Sequence, residues 1–247
     1  MIHVKSEKEI NLLREPCKIV RDTLDFVGSR IHAGMSTREV DELVERYIRA
    51  SGANPSCLGY GGFPASACIS VNDMVVHGIP DDRVIREGDI VSVDLCAYKN
   101  GYHGDACRTF CIGKVDPEVE KLVKVTEECF FKGIEGLKAG TPVYDIGYRV
   151  QKHAESFGYG VIRSYTGHGI GKEMHEDPNV PNYGKLGTGT RLRAGTVICV
   201  EPMIALGGWQ VRLLPDGWGA VTVDGKPAAH YENTLVVRED GVEILTL

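Results

Sequence analysis

Between residues 7 and 31 apolar side chains recur at Ile10, Leu13, Val20, Leu24, Val27 and Ile31, close to the period of a helix. Pro16 inside that run predicts a kink or a split, because it removes a backbone donor and crowds the preceding turn. Gly34 breaks the pattern, and Ser36 with Glu39 has the spacing of a capping box. The helix it opens carries Val40, Leu43, Val44, Tyr47 and Ile48 on one face and stops at Gly52. Asp116-Pro117 reads as an N-cap followed by proline at the first helical position, opening a helix that runs to about Gly136 or Gly140. Thr141-Pro142 repeats that start signal for a helix with Ile146 and Val150 inward, ending near Gly158. After residue 88 the period shortens. The stretch 89–98 alternates imperfectly, Asn100-Gly101 turns the chain, and 102–112 returns as the second arm of a hairpin.

The chain also repeats itself. A shift of 106 lays Ala33, Gly34, Val40, Val44 and Gly52 on Ala139, Gly140, Ile146, Val150 and Gly158. A shift of 107 lays Arg86, Gly88, Ile90, Val93 and Asp94 on Arg193, Gly195, Val197, Val200 and Glu201. Two segments that share nearly one offset predict two related halves, about 1–115 and 116–247. Each would be a helical pair followed by strands, meeting in one sheet. A two-fold repeat is not a solenoid, and no linker interrupts the chain, so residues 1–247 are expected to form a single domain.

Composition narrows the function. With 43% hydrophobic and 25% charged residues in 247, the chain can bury a sizeable core, which excludes disorder and fibrous repeats. A net charge of −6 supplies no basic excess for phosphates, so no nucleic-acid partner is expected. No apolar run approaches the roughly 18 residues that cross a bilayer. The first ten residues turn charged before any apolar core, unlike a signal peptide. The eight cysteines form no Cys-x-x-Cys pair, which predicts reduced thiols in a cytoplasmic protein rather than a thiolate zinc site.

The hairpin makes a geometric prediction. If Asn100-Gly101 is a two-residue turn, Lys99 faces Tyr102 and Cys96 faces Asp105. Asp94 then shares a face with Cys96 and lies diagonal to Asp105, with backbones roughly 7–8 Å apart. Two carboxylates so placed either hold a divalent cation between them or sit solvated on an exposed face. Asp94 maps by the repeat onto Glu201, in the apolar run 196–204, and Glu232 precedes another apolar run. Acids so embedded are costly to bury unpaired. His168, within Thr166-Gly-His-Gly-Ile-Gly171, His175 and His77 are each close to glycine in sequence or motif; singly each reads as an ordinary surface or core-edge imidazole. With four embedded acids, they point to a metallohydrolase site.

Several segments carry a family likeness: Cys57-Leu-Gly-Tyr60, Val76-His-Gly-Ile-Pro-Asp-Asp82, Gly101 to Asp105, Gly167-His-Gly-Ile-Gly171, Glu201-Pro-Met203, Asp216-Gly-Trp218, Tyr231-Glu232 and Glu243-Ile-Leu-Thr246. With the ordered set Asp94, Asp105, His168, Glu201 and Glu232, the chain resembles the pita-bread metallopeptidases, and within them the type I methionine aminopeptidases. The resemblance implies an α+β pita-bread fold, two pseudo-symmetric αβ halves around a curved antiparallel sheet. It implies two divalent metal ions at the centre, bridged by Asp105 and Glu232, with Asp94 on one and His168 and Glu201 on the other. Carboxylates with one imidazole suit Co, Mn, Fe or Zn alike.

The resemblance further implies hydrolysis at the first peptide bond of new proteins, releasing the initiator methionine when the second residue is small. Glu201 would carry the proton of the attacking water, His175 would steady the oxyanion and His77 would contact the scissile amide. Cys57, Tyr60, Phe63, Cys68 and Trp218 would receive the methionine side chain; by their own pattern they equally suit ordinary core. Gly61 and Met174, where relatives carry His and an aromatic, are expected to alter the pocket rim. The expected partner is the N-terminal Met of nascent polypeptides, met in transient ribosome contact by a monomer without membrane association. Two alternatives stay open: a prolidase or aminopeptidase P acting before proline, commonly built with a large extra N-terminal domain, and a non-catalytic pita-bread binding protein.

Overall fold

The computed structural model describes residues 2–247; Met1, where the expected domain begins, lies outside the described residues. The capping box expected at Ser36 and Glu39 forms, and a second one opens the first helix. Helix α1 (Glu7–Gly28) opens where Ser6 Oγ accepts from Glu9 N (3.4 Å) and the Glu9 carboxylate accepts from Ser6 N (2.9 Å). Helix α2 (Thr37–Ala50) repeats this with Ser36 and Glu39 at 3.2 and 2.7 Å. Helix α3 (Pro117–Ile134) starts from Asp116, whose carboxylate accepts from Glu118 N at 2.8 Å.

α1 runs through Pro16 as one element, so of the kink or split expected there the split does not occur. Packing explains it: Gly104 lies so close under the helix that a Cβ there would come within 2.6 Å of Cys17 N. The turn that lacks one hydrogen bond is therefore pressed onto the sheet. Helix α4 (Tyr144–Ser156) begins after the Thr141-Pro142 signal and has no side-chain cap. Residues 141 and 142 are used elsewhere: Leu192 N donates to Thr141 O (2.9 Å), and Pro142 bridges Arg191.

The strands, in chain order, are β1 (Asn54–Pro55), β2 (Cys68–Val71), β3 (Met74–Val76), β4 (Ile90–Lys99), β5 (Tyr102–Cys111), β6 (Gly160–Val161), β7 (Gly167–Gly169) and β8 (Glu176–Val180), then β9 (Val197–Val200), β10 (Met203–Ala205), β11 (Val211–Leu213), β12 (Ala220–Thr222), β13 (Ala228–His230), β14 (Glu232–Val237) and β15 (Val242–Ile244). The main sheet is antiparallel in the order β1-β4-β5-β14-β9-β7-β8, with β2 also on β4 and β15 also on β14. Small sheets β13-β10-β6 and β11-β12-β3 flank it. The hairpin has the expected register, Lys99 opposite Tyr102 and Cys96 opposite Asp105. Its turn holds Asn100 and Gly101 at φ 56° and 83°, the two positive values of a type I′ turn. The apolar run 196–204 is not one strand: it breaks at Glu201-Pro202 into β9 and β10, which join different sheets. Pro202 has no N–H to continue the ladder.

The two halves use the same backbone bonds. Gly34 N donates to Ile85 O and Ile85 N to Met35 O, both at 2.8 Å. At the shifts of 106 and 107, Gly140 N donates to Leu192 O (2.7 Å) and Leu192 N to Thr141 O (2.9 Å). Gly34, Gly140, Gly88 and Gly195 all sit at φ between 85° and 99°, where a side chain would be strained. The halves meet where β5 pairs with β14, Glu232 opposite Cys107. There Thr234 Oγ1 accepts from Asp105 N (3.1 Å) and donates to Asp105 O (2.8 Å).

Each half covers one face of the sheet with its helices. Val20, Leu24, Val40 and Val44 pack on Val91, Val93 and Leu95 of β4. Leu122, Phe130, Ile146 and Val150 pack on Ile198 and Val200 of β9 and Leu235 of β14. Side chains alternate across a strand, so Asp94 of β4 and Glu232 of β14 are left on the opposite face. No helix among the described residues is long and apolar enough to cross a membrane.

Candidate active site

On that opposite face the four acids meet one imidazole. His168 Nε2 lies 3.7 Å from Asp105 Oδ2 and 3.6 Å from Glu201 Oε1. Asp105, His168, Cys199 and Glu232 each offer a ligand atom within 4.8 Å of the others. His168 Nδ1 is 2.9 Å from Gly169 O; a carbonyl only accepts, so Nδ1 carries the proton and Nε2 presents a lone pair to the acids. Burial, with His175 beside it, holds His168 down at about 3, so the ring is neutral.

The acids are poorly compensated. Burial first, then the charge of Asp105, pushes Asp94, Glu201 and Glu232 well above the carboxylate range. Asp105 rises to about 7, again chiefly through burial. Asp105 Oδ1 and Glu232 Oε1 are buried without a hydrogen-bond partner. Among the described residues their ion-pair neighbours are only His168 and His230, the latter 3.9 Å from Glu232 Oε2 and held at about 3 by burial. Orphaned hard oxygens converging with an imidazole lone pair fit a divalent cation. Cys199 fits less well as a ligand, since burial raises its thiol far above the usual range and it is engaged with Thr234 Oγ1 (3.5 Å).

The cluster lines a cavity of about 350 Å³. All five expected ligands line it, as do His77, His175, Cys57, Tyr60, Phe63, Cys68 and Trp218. Phe63 and Trp218 meet edge to face with centroids 5.1 Å apart. Tyr60 Oη is 2.7 Å from His175 Nδ1, and the His175 ring stands 4.3 Å from that of His168. His77 sits at φ 58°, a conformation costly for a residue with a side chain. The cause is next to it: Gly78 is pressed onto β2, and a Cβ there would lie 2.3 Å from Ile69 O. Gly61 leaves open a position where a Cβ would approach Trp218 at 3.3 Å. Met174 is 5% exposed and packs with Cys57 and Phe63, so it belongs to the wall rather than the rim.

Val76, Cys96, Ser164, Tyr165, Thr166 and His230 also line the cavity, and sequence reasoning did not single them out as site residues. The hairpin register, which sets Cys96 opposite Asp105, held the signal for one of them. Residues 164–166 come from a loop with no periodicity to read.

A curled antiparallel sheet that cradles buried acids and an imidazole in the wall of a cavity defines a metallohydrolase. The chain belongs to metallopeptidase family M24, whose profile matches residues 11–239. It is 51% identical to a methionine aminopeptidase of Clostridium acetobutylicum, covering all of this chain and 99% of that one. The crystal structure of methionine aminopeptidase from Thermotoga maritima superposes with a TM-score of 0.98 at 43% identity, covering 100% and 99% of the two chains. The Xaa-Pro dipeptidase from Bacillus anthracis superposes less closely, with a TM-score of 0.79 at 27% identity, over 98% of this chain and 61% of that one.

Proposed function

We propose that this chain removes the N-terminal methionine from newly made proteins, favouring a small second residue. The observation that carries the proposal is the direct junction of a sulfur- and aromatic-lined cavity with the acid cluster. Relatives named methionine aminopeptidase over their full length support the substrate. Asp94, Asp105, His168, Glu201 and Glu232 would hold two divalent ions, drawn from Co, Mn, Fe or Zn. Asp105 and Glu232 would each bring to that set a buried oxygen without a partner. Such ions, when bound, lower the pKa of a water and polarise a carbonyl.

The chain's own residues do the rest. Glu201 accepts the proton of the attacking water and delivers it to the departing amine. Tyr60 Oη shares a hydrogen bond with His175 Nδ1; in the tautomer where Tyr60 donates, His175 Nε2–H is free to donate to the oxyanion. His77 takes the scissile amide by hydrogen bond. Cys57, Tyr60, Phe63, Cys68 and Trp218 surround the thioether, a soft group that aromatic and sulfur surfaces accept. The substrate's α-amine would be received near Asp94. Residues 1–247 would work as a single catalytic domain, a cytoplasmic monomer that meets nascent chains in transient ribosome contact.

Turnover of Met-Ala-Ser against Xaa-Pro peptides, with Mn²⁺ added, tests this. Preference for the proline substrates would move the chain to the dipeptidase branch. Loss of all cleavage with metal bound would favour a binding protein.

A further inference from the structure

The cavity wall holds a second cluster that the acid centre does not use. Cys57 follows β1, Cys68 opens β2 and Cys96 lies in β4. Pairing gathers them. Ser56 N donates to Cys96 O at 2.9 Å, and Cys68 faces Asp94, two residues before Cys96. Cys57, Cys68 and Cys96 pack in one buried cluster. Phe63, Ala65 and Met174 pack around the three, and all three face the cavity, through which a small oxidant can reach them.

The other five cysteines are placed differently. Cys107 and Cys129 donate to the carbonyls of His230 and Val150, both at 3.8 Å. Cys199 engages the Thr234 hydroxyl at 3.5 Å, and Cys17 is buried in an apolar cluster separate from that of the wall. Cys111 is exposed. All eight are free thiols, and the three in the wall share one packed cluster that also lines the cavity.

We propose that Cys57, Cys68 and Cys96 form an oxidant-sensitive modification site, at which a peroxide joins Cys57 to Cys68 as a disulfide. The chemistry balances. One thiolate attacks a peroxide oxygen, giving a sulfenic acid and, with the thiol proton, one water. The neighbouring thiol displaces hydroxide from that sulfur, closing the S–S bond and releasing the second water. Two thiols lose two electrons, and hydrogen peroxide takes them up. The bond ties together the wall of the cavity and draws Cys68 from its place opposite Asp94. That this stops turnover rests on the function proposed above; the bond itself does not.

The test uses the metal-loaded full chain carrying Cys111→Ser, hydrogen peroxide, and peptide mapping without reduction. A Cys57–Cys68 linked peptide is expected, with turnover of Met-Ala-Ser lost in proportion to the linked fraction and restored by dithiothreitol. Cys68→Ser should divert the link to Cys57–Cys96, and Cys57→Ser should abolish both. Should Cys57→Ser fail to fold, Cys57→Ala carries the same arm. The proposal is overturned if all three thiols stay alkylatable after unfolding, at peroxide levels that oxidise Cys111 in the unsubstituted chain. It is also overturned if the product is a sulfinic acid without any link. A link that forms with turnover unchanged upholds the modification site and counts against the methionine pocket.

Discussion

Replacing Asp105 by Asn should stabilise the metal-free protein while destroying its response to metal. Burial raises the Asp105 carboxyl from 3.8 to about 7. For an acid whose pKa is raised on folding, ionisation opposes the folded state. The cost is absent below the unfolded pKa, grows through the window between about 4 and 7, and is complete above it. A difference of ~3 pKa units at about 1.4 kcal/mol each gives an upper limit of about 4 kcal/mol at pH 8, and about 1–2 kcal/mol at pH 5. The charge of Asp105 also raises Asp94, Glu201 and Glu232, so removing it relieves them in the same direction. Urea unfolding of chelator-treated wild type and Asp105→Asn, at pH 5 and pH 8, reads the difference directly. Saturating Mn²⁺ should reverse the order, because only the wild type then gains binding free energy. A variant no more stable than wild type at pH 8 without metal, or a gap that does not widen from pH 5, would refute the reasoning.

Three further outcomes follow from the same geometry. Tyr60→Phe keeps the ring at the cavity mouth but loses the hydroxyl bonded to His175, so kcat should fall roughly tenfold with KM little changed, about 1–1.5 kcal/mol for one hydrogen bond; steady-state kinetics on Met-Ala-Ser reads it. Gly104→Ala places a Cβ within 2.6 Å of Cys17 N, and should cost about 1–3 kcal/mol in unfolding while leaving metal affinity in place, as denaturation and metal titration would report. Chelation should abolish turnover and re-addition of a divalent metal should restore it, since the orphaned acid oxygens have no other partner; turnover that survives exhaustive chelation contradicts a metal centre.

The parts of this molecule legible in advance are those decided within a few residues. Ser36 and Glu39 cap a helix wherever the chain leaves them room, and Asn100-Gly101 can turn only one way between two strands. From that single turn, strand alternation carries Asp94 and Asp105 to one face, and the repeat carries the reading to Glu201. Features decided by distant partners were not legible. Pro16 stays helical because Gly104, far along the chain, lets the sheet approach it. The Thr141 hydroxyl accepts from Lys138 N (3.2 Å) rather than capping the next helix, while its carbonyl accepts from distant Leu192. Glu201 stands not inside a strand but at the break before Pro202, which frees its carboxylate to reach His168. The cavity walls belong to this second kind: Tyr60 and His175 are separated by 115 residues, and no local pattern announces that they will touch. Acids fixed by local register and walls fixed by distant loops imply different tolerances. A substitution in the hairpin turn should disturb the acid centre through register, whereas changes in 57–63 or 164–166 should change what enters the cavity and leave the acids where they are.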